Sequence, residues 1–160
     1  MRAEGQDPMR LPTVRSWISQ HGGQQLGVWN YLAIQGGASM VVASSYLFWP
    51  RFTEVNGCIL LAEQYEPTSF HQWWTHLSGN VSEIEQVINH VHLWDLFDQD
   101  ADELPDGTLE ELARVIAKCW ELALSETYPS RSFEVCVSAG DEEYGPTISF
   151  ASTDQGTGQA

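Results

Sequence analysis

A chain of 160 residues, 42% of them apolar, suits one ordinary domain with a real core. Its 22 acidic residues outnumber 7 basic ones, giving a formal charge of −15, and Lys118 is the one lysine. So few scattered cations argue against nucleic acid, anionic membranes and phosphorylated substrates as partners.

Seven tryptophans suggest a core packed around aromatics, with one or two left as interface anchors. Cys58, Cys119 and Cys136 form no CxxC pair. They are expected as small buried residues without disulfides, which suits a reducing, cytoplasmic compartment. The N-terminus carries Arg2 and Arg10 but no apolar run of a secretory signal. Residues 16–50 carry no Asp, Glu, Lys or Arg, yet their longest apolar run is Met40–Ala43, far short of the ~20 residues of a membrane span. That interval is therefore expected to be buried core, with no membrane contact.

In chain order, residues 1–12 are polar, contain Pro8 and Pro12, and read as a flexible arm before a single α+β domain over 13–151. Thr13 can cap a short helix through Gln20, ended by Gly22-Gly23. Leu26–Ile34 is rich in β-branched and aromatic residues and favours a strand over a helix. Gly36-Gly37 breaks it, and Ala38–Phe48 follows as a helix stopped before Pro50. Asn56-Gly57 between β-compatible runs predicts a hairpin with strands near 52–55 and 58–63.

A helix over Thr68–Leu77 would end at Gly79 and bury Phe70, Trp73, Trp74 and Leu77. Asn80 followed by Glu83 resembles a capping box and opens a helix over 80–96 with the stripe Ile84, Val87, Ile88 and Val91. Thr108 with Glu111 is a second such pair, opening a helix to about Glu126. Alternation at Phe133, Val135 and Val137, then at Ile148 and Phe150, predicts a C-terminal hairpin. Residues 152–160 are small and polar and read as a disordered tail. The resulting expectation is one antiparallel sheet built from the two hairpins, with the helices packed on one face.

The densest charge runs from Asp95 to Glu111: Asp95, Asp98, Asp100, Asp102, Glu103, Asp106, Glu110 and Glu111, with no base among them. Trp94 stands at its edge as an aromatic beside charge. Glu110 and Glu111 also suit the first turn of a helix, where the dipole favours negative charge. The DxDxD spacing of Asp98, Asp100 and Asp102 begins like a calcium loop, but Glu103 and Leu109 stand where that loop needs Gly and Glu.

His90 and His92 would share a face on a strand but not on a helix, and His71 and His76 are badly phased on a helix. No metal or other cofactor is expected from these spacings. Gly36-Gly37-Ala38-Ser39 is the one strand–turn–helix candidate for a nucleophile, with Val41 where the second Gly would stand.

The leading expectation is a non-enzymatic, acidic protein-binding domain of inhibitor or immunity type. It would dock on a basic partner protein through Trp94 and the acids of 95–111. The alternatives are a small hydrolase using Ser39 or a histidine, and a structural subunit of a larger assembly. The oligomeric state is open at this level.

Overall fold

The computed structural model describes residues 7–22, 25–101, 104–138 and 145–153, with backbone alone over 98–101. Three helical pieces come first: α1 (Pro12–His21), α2 (Val28–Tyr31), which runs into a π-helical turn over Leu32–Gly36, and α3 (Gly37–Phe48). A hairpin follows, β1 (Phe52–Val55) and β2 (Cys58–Leu61), paired antiparallel from Phe52↔Leu61 to Val55↔Cys58. Asn56 and Gly57 take φ of +50° and +83°, the left-handed pair that a tight two-residue turn needs.

Helices α4 (Pro67–His76) and α5 (Val81–Ile88) then lead to the short strand β3 (Val91–His92) and helix α6 (Leu93–Ala101). The long helix α7 (Thr108–Thr127) precedes β4 (Phe133–Ser138) and β5 (Thr147–Ser152). The second sheet has the order β3-β5-β4, all antiparallel. The class is α+β, with two antiparallel sheets in one fold.

Strand β2 is buried along its whole length. Ile59 and Leu61 join Ile116, Trp120 and Leu124 of α7 and Ile148 and Phe150 of β5 in the main core. Cys58 and Leu60, on the other face by alternation, meet Phe70 of α4 and Ile84 of α5 in a second cluster. Helices therefore stand on both sides of β2 rather than on one, because β2 has no polar face to leave in water.

The hairpins occupy separate sheets, and side chains of α5 join them. Glu85 and Asn89, one turn apart, are fully buried between the edge of β2 and the stretch of β5 past Ile148 that the short β3 leaves unpaired. The Glu85 carboxylate accepts from the backbone N–H of Ile59 at 2.7 Å and from the N–H of Ser152. Asn89 accepts from the N–H of Leu61 at 2.9 Å and donates to the carbonyls of Ile59 and Phe150 at 2.9 and 3.3 Å. Two side chains thus do what a missing strand would do: they satisfy edge groups that would otherwise be buried unpaired. Arg131 completes the joint, donating to Ser152 Oγ at 2.8 Å and to the Gly57 carbonyl at 2.9 Å.

Several sequence expectations change here. Leu26–Ile34 is not a strand: from Val28 onward it is helical. No strand edge pairs with it, and Asn30 Oδ1 accepts from the Gly27 N–H at 2.9 Å to start a helix instead. The expected helix over 80–96 is split into α5, β3 and α6, because Asn89 turns its amide into the sheets and ends α5 there. Val87 consequently lies exposed, while Glu85 takes the buried position. Asn80 and Glu83 do cap α5, with Asn80 Nδ2 donating to Glu83 Oε1 at 2.7 Å. Thr108 does not cap α7: Gly107 holds the N-cap position, and the Thr108 hydroxyl donates to the Pro105 carbonyl at 2.6 Å.

Candidate functional site

Of the uncharged segment expected to be core, Trp17 and Ile18 are buried, but its helices after Gly27 lie on the surface. No residue of α2, of the π-helical turn or of α3 is fully buried. Trp29 is 87% exposed and Ile34 64%, and Leu32 projects beside them. On α3, Met40 and Val42 are each 60% exposed, and Val41, Tyr46 and the following Trp49 are also open. Two of the hydroxyls of this helix bond back to its own backbone. Ser44 Oγ donates to the Met40 carbonyl at 2.8 Å and Ser45 Oγ to the Val42 carbonyl at 2.6 Å. Such back-bonding occupies the hydroxyl proton of each serine locally.

The segment is fixed at its C-terminal end, so its exposure is not that of a loose arm. Leu47 and Phe48 pack on the main core, and the indole N–H of buried Trp120 donates to the Leu47 carbonyl at 2.9 Å. Pro50 ends the helix, and the guanidinium of Arg51 lies 5.4 Å from the Tyr46 ring centroid. A helix apolar on all sides is ordinarily found inside a larger core or in lipid. Among the described residues no helix is long and apolar enough to cross a membrane.

The acidic segment is only partly described. Trp94 and Asp95 open α6, both exposed, and the indole lies so close over Gly145 that a Cβ there would overlap it. Asp106 is exposed in the turn before α7, and Glu110 and Glu111 occupy the first turn of α7. Glu111 accepts an ion pair from Arg10 at 3.2 Å, so one expected docking acid is met by the chain's own cation. The side chains of Asp98 and Asp100, and all of Asp102 and Glu103, lie outside the described residues, as does the calcium-like spacing they form.

The enzymatic candidates separate in space. Ser39 is exposed near the start of α3, and a π-helical turn precedes it rather than a strand, so it stands on no nucleophile-bearing strand–helix turn. His90 and His92 do share a side of the second sheet, their ring centroids 4.6 Å apart, because β3 replaces the expected helix. They line one groove with Gln86 and Ser149, which continues toward Glu134 and Cys136 past the N-terminus of α5. Cys136 is exposed, unlike the buried thiol expected, because it lies on the polar face of β4. β3 and β4 flank β5 on opposite sides, so the histidines and Cys136 are about two strand spacings apart, roughly 9–10 Å. That is too far for a thiol–imidazole pair. Burial, then the neighbouring His92, hold the His90 pKa below its ordinary value. Among the described residues no three His, Cys, Asp or Glu side chains converge to hold a metal ion.

The surface face was missed in the sequence because its composition reads as core. One signal pointed the other way: 35 residues without Asp, Glu, Lys or Arg, in a chain this acidic, exceed what one small core takes up. In comparisons with known proteins, the chain matches no protein family, no curated protein and no solved structure.

Proposed function

We propose that this chain is a non-enzymatic protein-binding domain that docks through the uncharged helical face from Trp29 to Trp49. The observation that carries the reading is that this face is apolar, exposed and anchored. Its open apolar residues follow one another along α2 and α3, and exposed apolar surface of this extent on a folded domain marks an interaction site. Tryptophan and tyrosine at both ends suit the role, since aromatic anchors dominate interface energetics. The assembly-subunit alternative and the protein-binding expectation thus meet in one surface.

The acids of 95–111 give weaker support to a basic partner at that place. Glu111 is already paired with Arg10, and of the exposed acids described there only Asp95 stands beside exposed apolar residues, Trp94 and Leu96.

The test is a photoreactive residue installed at Met40 in the full chain, with a control at Leu122, an exposed apolar position on α7. Irradiation in the native cells is expected to give a covalent protein adduct from position 40 and none from position 122. No adduct from position 40, or equal adducts from both, refutes the reading.

A further inference from the structure

We propose that the face from Trp29 to Trp49 is covered by a second copy of this chain, with Trp29 of each copy seated in the apolar groove beside α3 of the other. The inference rests on the reading of this face as a docking surface. Three observations select a second copy as its occupant.

The first is area. At roughly 150–250 Å² per large side chain, scaled by the fraction of each that is exposed, the eight exposed apolar residues from Trp29 to Trp49 present on the order of 900 Å². A standard interface takes about 800 Å² from each partner, so one such face on each of two chains is enough.

The second is shape. A groove of about 600 Å³ opens beside α3, lined by Ala43, Tyr46, Leu47, Leu61, Val91 and Leu96. Its two charged lining residues, Arg51 and Glu63, pair with each other at 3.1 Å and leave it neutral overall. The same chain carries an apolar knob in Trp29, 87% exposed. Two copies related by a two-fold axis make both knob-and-groove contacts at once, since each contributes one of each.

The third is charge. Each copy carries −15, so a contact almost anywhere else sets acid against acid. The stretch 16–50 has no Asp or Glu, so contact there sets fewer acids directly against one another, and the repulsion left between two copies is the part that salt screens. A basic partner finds no carboxylate between residues 16 and 50 to pair with, and an anionic lipid surface is repelled by the rest of the chain.

The experiment is sedimentation velocity of the full-length chain alone, from about 1 to about 200 µM and in about 0.05 and about 0.5 M salt. The expected species has twice the 17.9 kDa of one chain. It forms more tightly at high salt, because screening removes the repulsion between like-charged copies. Trp29→Ala and Val42→Glu, both at exposed positions, are each expected to raise the dissociation constant at least about 10-fold. Leu122→Glu leaves it unchanged.

A 17.9 kDa species at every concentration and salt overturns the proposal. So does association that weakens with salt, or variants that dimerise like the wild type. A monomer that binds phosphatidylcholine vesicles would assign the face to lipid and equally overturn it. A monomer in solution together with an adduct to a different protein from position 40 removes the second copy while the docking face stands.

Discussion

Replacing Glu85 by alanine is expected to be among the most destabilising single changes in this domain, because two of its partners cannot be removed by any side-chain substitution. The carboxylate is fully buried, and its oxygens accept from the backbone N–H groups of Ile59 and Ser152. It also accepts from Ser152 Oγ at 2.9 Å and lies 3.6 Å from Arg131 Nη2. Alanine leaves two backbone donors in a space water does not reach, at about 1–3 kcal/mol each. It also leaves Arg131, about three-quarters buried, without its carboxylate. Together these reach about 4–6 kcal/mol, against a total stability of about 5–15 kcal/mol for an ordinary domain.

Glutamine keeps one oxygen but turns an NH₂ group toward one of the backbone donors, so it should cost about 2–3 kcal/mol. Leucine fills the volume and is not expected to recover the loss. An ion pair alone can often be exchanged for apolar residues, but here the strand edges still need acceptors. Urea unfolding, followed by far-ultraviolet circular dichroism, compares the midpoints at a shared slope. The expected order of stability is wild type, then glutamine, then leucine and alanine. A Glu85→Gln midpoint equal to wild type, or a leucine variant at least as stable, would show that the carboxylate does not bridge the two sheets.

Two further outcomes follow from named groups. Burial, then Glu85, push the Cys58 thiol up to about 11, whereas Cys136 is exposed. Iodoacetamide near pH 8 should modify Cys136 in the native protein and reach Cys58 only after unfolding, and rapid native modification of Cys58, read by peptide mass, would be inconsistent with the packing of β2. His90 should titrate below its ordinary value of about 6.5. The unfolded chain then binds that proton more readily than the folded one. Stability from this group is therefore complete above about 6.5 and is lost as pH falls through that value toward the folded pKa. A histidine proton titration by NMR with the His90 midpoint at or above 6.5 refutes the assignment.

Local chemistry made much of the fold legible. Asn56-Gly57 specifies its hairpin because few residue pairs accept two left-handed conformations. The stripe Ile116, Trp120 and Ala123 places α7 against the sheets, and the alternation of Phe133 and Val135 with Glu134 and Cys136 gives β4 the side that packs on the core, while Val137, expected with them, is exposed. Where legibility ended, the deciding partner was remote in sequence. Residues 26–34 have strand composition, yet a strand needs an edge to pair with, and none adjoins them. Periodicity placed Val87 inside and left Glu85 and Asn89 without a role, since no local rule announces that backbone groups as remote in sequence as those of Ile59 and Ser152 need acceptors and donors between them.

The candidate face divides in the same way. That residues 16–50 carry no charge, and that Ala38–Phe48 is a helix ending before Pro50, follow from the sequence by itself. Sequence also determined the acidic balance, the class α+β, and the positions of both hairpins. Whether the uncharged segment lies inside or outside was decided by tertiary structure alone. The space around β2 is filled by α4, α5 and α7 and closed by Glu85 and Asn89. A core already packed to contact has no volume for a further apolar helix, so α3 is held only by its last turn and turns the rest of its surface outward.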